Sequence, residues 1–232
     1  MQAFKISEKR IDIKTLVGTK TGIIQSIKYP FFESREQDME KLADKMNGFY
    51  EKTARKYSSY GEKILSKKVG RLAKKCRLPL CMGMKYTAVE TDGGIISVVL
   101  DLSCSEGKNI RMRRFTQMWS KEKAKLMTTG ELLDLSAKNK KYIFDLVTEQ
   151  VKNMSTKANK EFYPDVEKRV KYHFCFNNCF ASPSGIVFFF DAGTLRQTKY
   201  GACCFVVPYK KLDGIVRIEG LWEKEKTENE NL

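Results

Sequence analysis

A chain of 232 residues that is 42% hydrophobic and 31% charged has the composition of a folded globular protein, which excludes an extended disordered chain. With 43 Lys and Arg against 28 Asp and Glu, its net charge is +15, so its surface attracts anions and acidic partners. A single histidine excludes a metal site built from two histidines of this chain, and apolar runs of about six residues are too short for a membrane helix, which needs roughly 20.

The length suits one large domain or two smaller lobes. Seven cysteines, an odd number, fit a reducing compartment, because at least one stays unpaired in an oxidising one. Residues 1–14 lack the apolar segment of a secretory signal. Both observations predict a cytoplasmic protein without membrane insertion. Between Lys52 and Lys85 there are eleven Lys or Arg and one acid, Glu62. The favoured reading is the solvated helix face of a basic protein; the alternative is a surface turned toward a polyanion.

Phe4, Ile6, Ile11 and Ile13 alternate weakly, which predicts short strands over Ala3–Ser7 and Ile11–Leu16. A turn at Gly18–Gly22 leads into a strand, Gly22–Tyr29, ended by Pro30. Ser34 with Gln37 three residues later has the form of a capping box. Met39, Leu42, Ala43, Met46, Phe49, Tyr50, Thr53 and Tyr57 then recur at helical spacing as an apolar stripe that reads as core. Ser58–Gly61 is expected to bend or break this helix, and Ile64, Leu65, Val69, Leu72, Ala73 and Cys76 resume the stripe. Leu80–Glu90, Ile95–Leu102 and Ile110–Trp119 read as an antiparallel meander turning at Asp92–Gly94. In the last of these, Ile110, Met112 and Phe115 are expected to face inward, and Arg111 and Arg113 outward.

Lys121–Gly130 reads as a polar crossover. Ser136 can cap a helix over Ala137–Ala158, with Tyr142, Ile143, Leu146, Val147, Gln150, Val151 and Met154 as its stripe. Val166–Lys171 is expected to form one helical turn. The stretch Tyr172–Leu212 predicts three strands: one carrying Tyr172, Phe174, Phe176 and Phe180, a buried one over Ile186–Phe190, and Ala202–Val207 stopped by Pro208. Ala181–Gly185 is turn chemistry, with Gly185 free to take positive φ. Gly214–Leu221 reads as a closing strand, and residues 223–232 as a polar tail expected to fray.

The elements Phe180, Gly185–Phe190, Tyr200-Gly201 and Phe205–Leu212 resemble the C-terminal half of the domain family found in RsiV-type anti-sigma factors and PdaC-type peptidoglycan deacetylases, a domain of unknown function. Tyr29-Pro30, Ile95–Leu100 and Thr129–Leu132 match the N-terminal half more loosely, so the resemblance spans about residues 20–215. It implies a bacterial binding or sensing module that meets cell-wall glycans or wall-acting proteins. Thr129–Leu132 would be the turn into the second lobe. The chain departs from the family in three ways. No membrane helix or export signal is visible, Cys104–Arg111 has one Gly and no His where relatives carry both, and Gly193 stands where they favour Tyr.

Catalytic signatures are missing from the sequence: there is no Gly-x-Ser-x-Gly elbow, phosphate loop or dinucleotide fingerprint. Glu90, Asp92, Asp101, Asp191 and Asp213 are scattered over strand ends and turns. The spacing of Cys175, Cys179, Cys203 and Cys204 does not match a zinc module, so these read as core thiols, and His173 as a structural residue. The chain is therefore expected to be a non-enzyme without cofactor or metal. The expected fold class is α+β, with two lobes that each pack an antiparallel sheet against a long amphipathic helix. The lobes are expected at residues 1–128 and 129–222. The preferred function is a binding or sensing module for a protein or glycan. The alternative is a polyanion or nucleic-acid binder, whose candidate ligand residues are Lys67, Lys74, Lys75, Arg111, Arg113, Arg114 and Trp119.

Overall fold

A computed structural model describes residues 3–74, 79–158, 161–218 and 220–221. The fold class is α+β. A six-stranded sheet has the order β1-β2-β3-β4-β5-β6, and a three-stranded sheet the order β7-β8-β9. The chain divides into two compact units, one within residues 1–88 and 99–115, the other within 89–98 and 116–232.

In the first unit, strands β1 (Phe4–Val17) and β2 (Lys20–Ser34) form one long antiparallel hairpin. β1 joins two predicted strands into one, and β2 extends the single predicted strand at both ends. The weak alternation within β1 reflects a strand exposed along one face and only half-buried along the other, where no core demands a strict apolar face. The two-residue turn needs Gly18 at φ 59°. Pro30 does not end β2; it lies opposite Glu8, beyond the Ile23–Ile27 stretch where β2 pairs with the next strand, so no ladder donor is demanded of it there.

Helix α1 (Glu40–Lys74) follows, and β3 (Leu80–Glu90) then pairs parallel to β2. This parallel pair enters a sheet expected to be antiparallel, and α1 is its crossover. Ser34 does not cap α1. Its hydroxyl accepts from the Glu36 amide at 3.1 Å, and a turn of 3-10 helix over Gln37–Met39 comes before α1. Nor does Ser58–Gly61 break the helix. Gly61 is there because a Cβ would meet the Met82 sulfur at 2.2 Å, so the helix needs a bare backbone to approach β3. Leu42, Met46, Tyr50 and Ala54 are buried at helical steps, and Tyr50 and Phe4 both pack against Phe32. A second cluster joins Ile23, Leu80 and Met82 with Tyr57 and Ile64. Where β3 no longer flanks β2, the side chain of Asn47 takes its place. It accepts from the Phe32 amide at 2.8 Å and donates to the Phe32 carbonyl at 3.0 Å.

Strands β4 (Ile95–Glu106) and β5 (Asn109–Ser120) carry residues of both units. Gly94, at φ 71°, makes the predicted turn before β4.

The second unit begins its helical part through a hairpin, not a crossover: β6 (Lys125–Met127) folds back on Met118–Ser120. Helix α2 (Thr129–Leu132) carries a complete capping box between Thr128 and Glu131. The Lys125 ammonium, the Thr128 amide and the Thr128 hydroxyl hold the Glu131 carboxyl down at about 2. Helix α3 (Ala137–Lys157) starts where expected, with the Ser136 hydroxyl accepting from the Asn139 amide. Ile143, Val147 and Val151 form its buried row, while Tyr142 and Met154, placed in the stripe from sequence, are exposed.

Helix α4 (Val166–His173) runs past the predicted single turn and takes up Tyr172, which is exposed. The first predicted strand of the C-terminal stretch therefore begins late, as β7 (Cys179–Ser182), followed by β8 (Gly185–Phe190) and β9 (Cys203–Val207). Phe174 and Phe176 lie in the connection, and the Phe174 ring stacks among Phe144, Phe176, Phe188 and Phe190. Their spacing of two mimics a strand although ring packing is what fixes them. β8 is buried along its whole length. Gly185 has φ 145°, and a Cβ there would meet the Val207 carbonyl oxygen at 2.3 Å. Among the described residues of 214–221 there is no strand: the segment is held by an isolated bridge from Val216 to Leu133 and by bonds from the Asp134 and Arg217 amides. The polar tail, 223–232, is outside the described residues.

Candidate functional site

The residues proposed from sequence to bind a polyanion lie on α1 and β5. β5 is exposed at its start and buried at Met118, Trp119 and Ser120. Side chains alternate along a strand, so Arg111, Arg113 and Phe115 share one face and Arg114 points to the other. Arg111 and Arg113 are exposed, and the Phe115 ring is 47% exposed, not turned inward as predicted. Ile110, also expected inside, is 57% exposed. Ile110 lies beside the Gly107-Lys108 turn, where burial has not yet begun, and Phe115 falls on the exposed face of the strand with Arg111 and Arg113.

Arg114 is engaged within the sheet. Its Nε and Nη2 donate to the two oxygens of Asp101 on β4, each at 2.7 Å, in a bidentate fork. Trp119 is 4% exposed, so its ring is not a platform on which a base can stack. Lys67 is exposed on α1. The side chain of Lys74, and Lys75 as a whole, lie outside the described residues. The structure thus brings together Arg111, Arg113 and Phe115, and removes Arg114 and Trp119 from that surface.

Two of the five candidate carboxylates, Glu90 and Asp101, are held as structural partners. Glu90, with 10% of its side chain exposed, accepts from the Lys121 ammonium at 2.6 Å, and Asp101 is held by Arg114. Among the described residues, no three His, Cys, Asp or Glu side chains gather as metal ligands. His173 is exposed in the last turn of α4; it is not core filler.

The thiols divide by strand parity. Cys203 is buried and Cys204 exposed, since neighbours on β9 point to opposite faces. Cys179 is buried and Cys175, in the preceding turn, is exposed, so two of the four expected core thiols are not core. Burial pushes the Cys179 thiol up to about 12, and burial also raises Cys203, against the pull of Arg196.

Arg196 had no signal in the sequence. It sits in the loop between β8 and β9 with 17% of its side chain exposed, donates to Glu161 at 3.3 Å and to the Tyr200 carbonyl at 2.9 Å, and faces the Phe162 and Tyr200 rings. A lone Arg in a polar loop looks solvated until the fold wraps aromatic rings around it.

No family model matches the chain, and no curated protein matches it in sequence. Its fold does have solved counterparts. One is a member of the DUF3298 family from Bacteroides fragilis, at TM-score 0.59 and 9% identity, matched over 92% of this chain and 94% of that one. Another is a DUF3298 family protein from Pseudomonas aeruginosa, at TM-score 0.61 and 13% identity, over 91% and 94%. Over those shares of its length the chain has the fold of DUF3298 family proteins, a family of unknown function. No helix of the described residues is long and apolar enough to cross a membrane.

Proposed function

We propose that this chain is a non-enzymatic binding module of the RsiV/PdaC-like kind whose ligand is an acidic protein or an anionic polymer of the cell wall. The observation that carries this reading is the face of β5, where two exposed arginines, Arg111 and Arg113, are followed on the same face by the half-exposed Phe115 ring, on a strand held within a sheet. Exposed Arg and aromatic side chains on a rigid support are what dominate binding energies at protein interfaces. The fold shared with bacterial proteins over more than 90% of the chain supports a module of that type. None of the described cysteines forms a disulfide, which fits a reducing compartment, and in the cytoplasm the acidic partner is a protein.

Calorimetry with cell-wall fragments and with acidic proteins tests the reading. Binding that falls roughly tenfold or more in Arg111→Glu/Arg113→Glu and in Phe115→Ala supports it, since interface hot spots carry about 2 kcal/mol or more each. Silence toward every ligand, or indifference to these substitutions, overturns it. A nucleic-acid ligand is the second reading, favoured by the same Arg–Phe face. It is weakened by the burial of Trp119, which leaves β5 with Phe115 as its exposed ring.

A further inference from the structure

Strand β1 ends the six-stranded sheet, and among the described residues no strand pairs with its outer side. The direction of its backbone groups follows from Asn47. Both polar groups of Phe32 turn away from β1 to reach Asn47, and Phe32 stands opposite Ile6. In an antiparallel ladder, opposite residues either exchange both bonds or both turn away. Ile6 therefore turns its amide and carbonyl outward, and so does every second residue after it: Glu8, Arg10, Asp12, Lys14 and Leu16.

A bare edge of this length is normally guarded by charges that repel a second strand. Here the order of the charges does the opposite. Read about Ile11, the outward set is complementary to itself: Arg10 mirrors Asp12, Glu8 mirrors Lys14, and Ile6 mirrors Leu16. The two apolar members of the set are exposed, Ile6 at 36% and Leu16 at 62%. Within one copy, Arg10 pairs with Asp12 and Glu8 with Lys28 on the exposed strand surface, so in the union these pairs exchange or share partners across the seam.

We propose that β1 is where two copies of this chain join, antiparallel, about a two-fold axis at Ile11, making one continuous sheet. In that register each acid faces a base, Ile6 faces Leu16, and each outward residue exchanges two backbone bonds with its opposite number. Ile11 faces its own copy in a position that makes no backbone bonds to the partner, where Cα atoms lie about 4.5 Å apart. The net charge of +15 on each copy opposes the union, and physiological salt screens that repulsion beyond about 8 Å.

Sedimentation equilibrium of the full chain at about 0.15 M salt tests this. The expected result is a concentration-dependent dimer that Glu8→Lys weakens roughly tenfold or more, because it sets like charges opposite each other twice per dimer. Adding Lys14→Glu to that variant restores the dimer. Arg10→Asp, rescued by Asp12→Arg, asks the same question if the first variant fails to fold. Oxidised Ile11→Cys is expected to yield a disulfide joining position 11 of both copies, identified by peptide mass mapping, since its Cα spacing suits the bond. A chain that stays monomeric, a dimer indifferent to the charge reversals, or no linkage at position 11 overturns the proposal.

Discussion

Gly61 shows how one residue is misread without its neighbours. Beside two serines it resembles a helix breaker, yet it marks the point where α1 touches Met82 and Ile23. Two effects compete in Gly61→Ala. Helix propensity favours Ala by about 1 kcal/mol. Overpacking costs typically about 1–3 kcal/mol, and here Met82 and Ile23 are both buried and have little room to yield. The net expectation is a loss of stability, read as a lower denaturant midpoint with an unchanged slope; a rise would show that Met82 swings aside. The cysteines provide a second test at this scale. Cys175 and Cys204 are exposed, whereas Cys179 and Cys203 are buried with raised thiols. Iodoacetamide at pH 8 is therefore expected to label the first two within the native protein and the second two only after unfolding, because the thiolate is the reactive form. Native labelling of Cys179 would contradict its burial.

Among the elements, those with long one-sided apolar patterns were readable in advance. α3 starts at its predicted cap, and β8 falls on its five-residue apolar run. Elements that depend on partners were not. The β1–β2 ribbon is longer than its pattern, and the Gly214–Leu221 segment has a strand's pattern without a strand's partners. Asn47 is the joint between α1 and β2, and nothing in its sequence context distinguishes it from any polar helix residue. Asn47→Ala leaves the Phe32 amide and carbonyl without that partner in a part-buried site, which costs about 1–3 kcal/mol. Hydrogen exchange is the sharper measurement. The Phe32 amide should lose protection before the middle of the β1–β2 ribbon does, whereas uniform loss would mean that Asn47 acts on global stability alone.

For the molecule as a whole, charge makes the clearest forecast. If the ligand is a nucleic acid or another polyanion, log affinity should fall linearly with log salt, because each phosphate contact releases counterions. Removing Arg111 and Arg113 should then flatten that slope by about 1–2 contacts. A salt-insensitive affinity would exclude the polyanion reading and leave an acidic protein held by specific contacts. Of the seven residues offered for that surface, strand alternation correctly put Arg111 and Arg113 outside. It did not reveal that Asp101 would occupy Arg114, or that Trp119 would be buried, since both depend on a neighbouring strand or packing layer and not on the residue itself.

By itself the sequence determined the α+β class, the Ser136 cap of α3, the apolar runs of β8 and β9 and the net positive charge, because local periodicity and net charge need no partner to exist. The tertiary structure alone decided the parallel β2–β3 pair, the unbroken course of α1, the division of the thiols and the open edge at β1. Each of these is a contact between segments distant in the chain, and the physics that fixes them begins only when those segments meet.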